Sequence, residues 1–217
     1  MLRRLLSHIL PLTRTVHSPV SGPLYVRLHR GRKVLDTEHA NYSYGALQQV
    51  LRYGLMFVDL APVAHVLVLG LGGGSVVRTL RHELGYAGLL TAVELDDVVI
   101  QVSAEEFGVQ ANASLKVVCA DAFEWVRTAP AGAFGLVVVD LFVDVQLPAG
   151  LQTAAFWHEV HRLLPPGGQV LFNALVDVPL AVEDREIAAF LAETGFSVQD
   201  VAVEEHNRLL VLRKPAA

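Results

Sequence analysis

The sequence has 217 residues, 53% of them hydrophobic and 18% charged, with a formal net charge of −5. This length and composition predict one globular domain, or one domain with a small extension, and exclude a disordered chain. No apolar run reaches the roughly 18 residues that a membrane-spanning helix needs, so no membrane span is predicted. An acidic body suits a cationic substrate or a sulfonium cofactor better than it suits nucleic acid.

The first part of the chain is basic and has a pattern of its own. Residues 1–35 contain arginine and lysine but no acidic residue. Residues 1–10 are typical of a short amphipathic helix or a targeting peptide, and we favour an ordinary cap or a dimer contact. Residues 23–29 alternate apolar and polar, and residues 33–36 can return as the second strand of a β-hairpin. We therefore divide the chain into an N-terminal segment with a β-hairpin, 1–44, and a larger second domain, 45–217.

The remaining chain alternates predicted strands and helices, which is typical of a parallel sheet covered on both faces. Two alternating segments at 196–204 and 208–213 predict an antiparallel hairpin that closes the sheet. The predicted fold is therefore α/β, a Rossmann-like S-adenosylmethionine methyltransferase fold with a small N-terminal β-hairpin. The predicted strands are 65–70, 90–95, 115–120, 135–141 and 168–174, and the predicted helices are 45–60, 74–86, 96–107, 121–128, 151–164 and 181–194.

A glycine-rich loop follows the first buried strand. Gly70, Gly72 and Gly74 fit the pattern G-x-G-x-G, whereas Ser75 stands where the dinucleotide fingerprint has its last glycine. This spacing favours a nucleoside sulfonium over a dinucleotide, because no pyrophosphate needs to be cradled. The alternative is a tight strand-to-helix turn that binds no ligand.

Polar side chains stand at the ends of four later strands. Ligands of open α/β sheets bind beyond the carboxyl ends of the strands, where Glu94, Asp121, Asp140 and Asn173 fall. Glu94 is placed to accept hydrogen bonds from a ribose diol, and Asp121 from an adenine amino group. Helix capping is the alternative for both positions, since Asp and Asn favour helix N-termini.

The segment 140–144 is the candidate reactive loop. A carboxylate at Asp140, near a sulfonium, can accept a proton from an attacking amine or hold that amine as a cation. Asp144 is a second candidate, and the alternative is a solvated loop with two ordinary acids. His158 and His161 lack the spacing of a zinc motif, so we predict surface histidines and no metal site. The single cysteine, Cys119, closes an apolar run and is predicted to be buried, in a cytoplasmic protein.

Several motifs in this order resemble the spermidine/spermine synthase family, the polyamine aminopropyltransferases. The resemblance covers about residues 20–175. It includes the family's glycine loop, its E-I-D-x-x-V-I segment, its adenine-side D-G/A-F, the strand before its catalytic loop and its F-x-Y. The matching segments are Val66–Arg78, Glu94–Gln101, Asp121–Phe123, Phe134–Asp140 and Tyr42–Tyr44.

The resemblance implies an enzyme that transfers an aminopropyl group from decarboxylated S-adenosylmethionine to a small amine. It implies that Ala122 joins Asp121 beside the adenine. It also implies that Asp140, helped by Tyr44 and Asp144, orients and deprotonates the amine, and that a homodimer is plausible.

The same comparison shows departures from the family pattern. Gly73 stands where the family has an aspartate that contacts the aminopropyl end of the cofactor, and Gly45 replaces a Gln or His. The second acid of the catalytic loop would fall at Val143, one position before Asp144. A methyltransferase that uses intact S-adenosylmethionine is therefore the first alternative, and a non-catalytic protein that keeps the fold is the second. A nicotinamide dehydrogenase is a more remote third alternative.

Overall fold

In the computed structural model, the N-terminal region forms a four-stranded antiparallel sheet. The structure describes residues 12–29, 31–39, 41–143, 146–175, 180–203 and 207–216. The predicted hairpin is confirmed, and one further strand flanks it on each side. The strands, in spatial order, are β1 (Leu12–Ser18), β2 (Gly22–His29), β3 (Arg32–Asp36) and β4 (Asn41–Ser43).

The outer strands of this sheet were missed because their patterns are weak. Residues 12–18 carry only two half-buried apolar side chains among polar ones, and β4 has three residues. Pairing with β2 along its whole length makes β1 a strand. The sheet buries Leu24, Val26 and Leu35 against Val99 and Val102 of the following domain. The cap or dimer contact predicted at residues 1–10 lies outside the described residues.

A seven-stranded sheet forms the centre of the rest of the chain. Five strands are parallel, and β13 pairs antiparallel with both β9 and β12, so that the predicted antiparallel hairpin closes the sheet. The methyltransferase-type fold is therefore confirmed. The strands, in spatial order, are β12 (Ser197–Val203), β13 (Asn207–Arg213), β9 (Gln169–Leu175), β8 (Leu136–Val139), β5 (His65–Leu69), β6 (Leu89–Glu94) and β7 (Leu115–Cys119).

Helices cover both faces of this sheet. In β5, Leu67 and Leu69 belong to one hydrophobic core, and Val66 and Val68 to the other. Such strands are apolar throughout because they are buried on both sides. None of the helices in the described part of the chain is long and apolar enough to cross a membrane. The helices are α1 (Gly45–Leu55), α2 (Ser75–Arg78, continued as a π-helical turn Thr79–Glu83), α3 (Asp97–Phe107), α4 (Ala122–Thr128), α5 (Ala154–Leu163) and α6 (Ile187–Glu193).

Three details differ from the sequence-based expectations. Helix α1 ends at Leu55 instead of residue 60, and a short hairpin, β10 (Ala181–Val182) with β11 (Arg185–Glu186), precedes α6. Cys119 is exposed instead of buried. It ends β7, which is the edge strand of the sheet, so only one side of this strand is paired. The order of the strands decides this exposure, and a single apolar run does not reveal it.

Candidate functional site

A cavity of about 420 Å³ lies beyond the carboxyl ends of the parallel strands. The chain runs from β5 to β6 and β7 on one side and then returns to β8 on the other side of β5. Ligands of open α/β sheets bind at such a switch point. The predicted site residues that line the cavity are Gly70, Gly72, Glu94, Asp121, Ala122 and Asp140.

Gly70 follows β5 and lies against the backbone of Asp140, which follows β8. Its φ is +91°, and a Cβ atom there would lie 2.1 Å from the carbonyl oxygen of Asp140. Only glycine fits this position, because both the left-handed φ and the neighbouring backbone exclude a side chain. Gly70 therefore lets the ends of β5 and β8 meet under the cavity.

Gly74 has a packing role and is not among the described residues that line the cavity. It precedes α2 with a φ of +84°, and a Cβ atom there would lie 2.5 Å from a Val109 methyl group. The sequence groups Gly74 with the ligand-binding glycines, whereas the structure packs it against the loop after α3. The third glycine of the pattern is thus explained by packing.

Glu94 ends β6 and is buried, at 6% exposure. Its carboxylate accepts hydrogen bonds from the backbone N–H of Gly72 at 3.0 Å and of Asp96 at 3.2 Å. Burial raises the pKa of Glu94, and these backbone hydrogen bonds partly oppose the rise. A carboxylate has about four lone-pair positions, so Glu94 can accept from a ligand as well.

Asp121 performs the capping role that the sequence offered as an alternative. Its Oδ1 accepts from the backbone N–H groups of Phe123 at 2.7 Å and Glu124 at 3.4 Å, at the start of α4. The residue is exposed and lines the cavity together with the buried Ala122. Capping occupies one carboxylate oxygen, which leaves the other available to a ligand.

Asp140 directly follows β8 and lines the cavity. Its Oδ1 accepts a hydrogen bond from Asn173 Nδ2 at 2.9 Å. Burial raises the pKa of Asp140 to about 6; Asn173 opposes this rise, and the nearby Glu94 adds to it. Among the described residues, the Asn173 Oδ1 has no hydrogen-bond partner, although Asn173 is fully buried. The pair thus presents a carboxylate and an unused acceptor oxygen to the cavity that both residues line.

Tyr44 is not brought together with Asp140 in this cavity. Its ring stacks on Phe107 at a centroid distance of 4.5 Å, and it lines a separate groove of about 1320 Å³. The buried hydroxyl has no hydrogen-bond partner within the described chain. Tyr44 has a φ of +67°, which turns its side chain away from the direction of β4. Asp144, the other predicted helper, lies outside the described residues.

Tyr42 lines the cavity instead, and the sequence analysis did not single it out as a site residue. Burial raises the pKa of its phenol, and the carboxylates of Glu94, Asp96 and Asp140 raise it further. One signal in the sequence could have identified Tyr42. The F-x-Y motif of the family has Phe at this position, so the hydroxyl of Tyr42 is an addition to the family pattern. Other lining residues come from the N-terminal sheet and its turns, and no local pattern identifies them. They are Val20, Ser21 and Thr37.

The charges around the cavity have one sign. Four carboxylates line it, and none of its described lining residues is Lys, Arg or His. A ligand that carries positive charge gains from this environment, whereas a carboxylate would be desolvated without a basic partner. The carboxylates are those of Glu94, Asp96, Asp121 and Asp140.

The fold and this cavity define a Rossmann-like domain of the S-adenosylmethionine methyltransferase class, with a glycine loop and acids at the strand ends. Residues 50–190 match the family described as spermine/spermidine synthase domain. The chain therefore belongs to this family, and the resemblance seen in its motifs is confirmed.

Two relatives of known name support the assignment. A polyamine aminopropyltransferase of Halorhodospira halophila is 27% identical over 204 residues, covering 86% of this chain and 71% of that protein. A polyamine aminopropyltransferase of Vibrio vulnificus is 29% identical over 149 residues, covering 67% of this chain. The matched region spans only 49% of the Vibrio protein's length.

Solved structures show the same fold. A probable spermidine synthase from Corynebacterium glutamicum superposes with a TM-score of 0.66 at 18% identity, covering 94% of this chain and 77% of that one. Human methyltransferase-like protein 13 in complex with SAH gives a TM-score of 0.64 at 22% identity, covering 79% and 83%. At these identities the likeness concerns the fold alone.

Proposed function

We propose that this protein is an aminopropyltransferase that uses decarboxylated S-adenosylmethionine and a small amine. The observation that carries the proposal is the cavity lined by four carboxylates and, among its described residues, no cation. Decarboxylated S-adenosylmethionine has a sulfonium and an ammonium group and no carboxylate. Membership of the spermine/spermidine synthase family and the names of its relatives support the same activity.

The cofactor is assigned to the residues that line the cavity. Gly70 and Gly72 leave room for the nucleoside, Glu94 accepts from the ribose hydroxyls, and the adenine lies near Asp121 and Ala122. Intact S-adenosylmethionine would bring its carboxylate into this acidic cavity without a basic partner. We therefore expect the decarboxylated form to bind more tightly.

The proposed reaction is a direct displacement. The acceptor nitrogen attacks the sulfonium-bound carbon of the aminopropyl group, a C–N bond forms and the C–S bond breaks. The electron pair of the broken bond goes to sulfur, which leaves as methylthioadenosine. The nitrogen gives up a proton, and Asp140 is the acceptor because its raised pKa still leaves it ionised near neutral pH. Alignment of nucleophile and carbon supplies much of the acceleration.

The first alternative, a methyltransferase, depended on free space at Gly73. A Cβ atom there would lie 2.9 Å from Ser43 Cβ and 3.2 Å from Tyr44 Cε2. Residues 43 and 44 thus fill the region that an acidic side chain would occupy, so the lost acid leaves no pocket for a cofactor carboxylate. This packing supports the aminopropyltransferase proposal.

Gly73→Asp is expected to lower the free energy of unfolding by about 1 to 3 kcal/mol, as overpacking does, and not to improve cofactor binding. Urea unfolding measures the loss. Ser43→Gly provides the control in a double-mutant cycle: Gly73→Asp should be less harmful in that background. Equal losses in both backgrounds would show that Ser43 does not close this space.

The pH profile tests the role of Asp140 as proton acceptor. We expect kcat/KM for the amine to fall as pH drops below about 6, because protonated Asp140 cannot accept a proton. The unprotonated fraction of the amine also decreases as the pH falls. It gives the plot of log kcat/KM against pH a constant slope with no inflection in this range. The inflection should therefore disappear in Asp140→Asn while the slope remains. An inflection that persists in the variant would assign it to another group.

A mass-spectrometric product assay tests the proposed function itself. The protein receives equal amounts of S-adenosylmethionine and its decarboxylated form, with putrescine and spermidine as acceptors. Methylthioadenosine with an aminopropylated amine supports the proposal. S-adenosylhomocysteine would make the protein a methyltransferase, and cofactor binding with neither product would make it a non-catalytic member of the family. Either of these results would overturn the proposal.

A further inference from the structure

The structure assigns a role to Tyr42: we infer that its hydroxyl, and not that of Tyr44, positions the acceptor amine against Asp140. The inference rests on the proposed function and adds a specificity-determining residue to it. Tyr42 is the described tyrosine that lines the cavity, whereas Tyr44 lines the separate groove beside Phe107.

The backbone explains why two tyrosines so close in sequence separate. In an extended strand, residues i and i+2 point to the same face, so regular β4 geometry would send both rings to one side. Tyr44 leaves the strand with a φ of +67° and ψ of −166°, directly before Gly45 and α1. Its ring therefore lies on Phe107, and Tyr42 keeps the strand direction into the cavity.

The N-terminal sheet holds Tyr42 in place. Ser21 lines the same cavity as Tyr42, and its side chain lowers the pKa of the phenol against the larger effect of burial. Ser21 is fixed because the Ser18 hydroxyl accepts from the backbone N–H groups of Val20 at 2.9 Å and Ser21 at 3.1 Å. The same Ser18 hydroxyl donates to Asp96, which lines the cavity. Hydrogen bonds thus connect the turn that carries Ser21 with Asp96 of the cavity lining.

The phenol meets a need that the carboxylates alone do not. Tyr42 is close enough to Glu94, Asp96 and Asp140 for their charges to raise its pKa, so it stays neutral and keeps its proton. Its oxygen can accept from an amine N–H, and its O–H can donate to a carboxylate. The unused Asn173 Oδ1 is a further acceptor at the same cavity. Asp140 and the Tyr42 oxygen can thus accept the two N–H groups of one neutral primary amine, which leaves its lone pair free to attack.

Tyr42→Phe and the matched control Tyr44→Phe test the inference. We expect Tyr42→Phe to raise KM for the amine about ten-fold or more, the effect of a lost hydrogen bond to a charged group. Its affinity for methylthioadenosine, measured by calorimetry, should stay within about two-fold, because the nucleoside contacts other residues. Tyr44→Phe should leave both quantities near wild type. Thermal unfolding of both variants checks that the fold is kept.

The outcomes separate this inference from the proposed function. If the wild-type protein releases no methylthioadenosine, the proposed function fails, whatever the variants do. If the wild type is active and Tyr42→Phe keeps its KM, or Tyr44→Phe shows the larger increase, the inference is wrong and the proposed function stands. If Tyr42→Phe raises the KM for the amine and weakens methylthioadenosine binding by the same factor, Tyr42 only shapes the cavity wall. This result also overturns the inference.

Discussion

Asp140→Asn is expected to lower kcat by about two to four orders of magnitude, the usual contribution of a general base. Asparagine has nearly the same volume, and its side-chain oxygen can still accept from Asn173 Nδ2, which now bonds Asp140 at 2.9 Å. What the variant loses is the negative charge and the ability to take a proton. Steady-state release of methylthioadenosine under saturating amine and cofactor measures the effect.

The stability of the same variant separates a chemical loss from a folding defect. The pKa of Asp140 rises from an ordinary 3.8 to about 6 in the folded protein. Between these values the folded state binds more protons than the unfolded one, so the contribution of Asp140 to stability falls as pH rises through that window. Asparagine removes this dependence, and the variant should be at least as stable as wild type at pH 7.

A surface substitution provides the matched control. Asp97 is exposed in the first turn of α3 and does not line the cavity. Asp97→Asn changes the net charge by the same amount and should keep kcat within about two-fold, as surface changes usually do. If Asp140→Asn retains more than a tenth of wild-type kcat while the fold is intact, proton transfer to Asp140 is not part of the reaction.

The sequence predicts those parts of the site whose position depends only on where a strand ends along the chain. Glu94, Asp121 and Asp140 each stand at or just after the end of a parallel strand, and parallel strands place their carboxyl ends at one edge of a sheet. Gly70 is identified by the same rule, because it directly follows β5, the first parallel strand in the chain. These four residues line the cavity.

The parts that the sequence misses depend on distant contacts or on a single backbone angle. The positive φ of Tyr44 moves its ring from the cavity to Phe107, and no pattern in residues 42–44 signals this angle. Ser21 reaches the cavity because the N-terminal sheet packs on α3, which is a tertiary contact. Cys119 is exposed because its strand lies at the sheet edge. A one-dimensional pattern contains neither the strand order nor this packing.

Gly70→Ala is expected to cause the largest loss of stability among these variants. The new methyl carbon would lie 2.1 Å from the Asp140 carbonyl oxygen. Neither side can yield easily, since Asp140 N–H donates to the Leu69 carbonyl and Gly70 N–H to the Val93 carbonyl, both at 2.9 Å. Backbone strain and overpacking together should cost about 3 kcal/mol or more, roughly 6 to 12 °C in Tm for a domain of this size.

Gly85→Ala separates the two causes of that loss. Gly85 also has a left-handed φ, +66°, but nothing lies within 4 Å of a Cβ atom built there. It should therefore show only the backbone penalty of about 1 kcal/mol. The excess loss of stability in Gly70→Ala then measures the clash with the Asp140 backbone.

Because this clash displaces the proposed proton acceptor, kcat should fall about 100-fold in Gly70→Ala, as a displacement of about 1 Å can do. In Gly85→Ala it should stay near wild type. Equal losses of stability and activity in the two variants would mean that the ends of β5 and β8 are not locked together under the cavity.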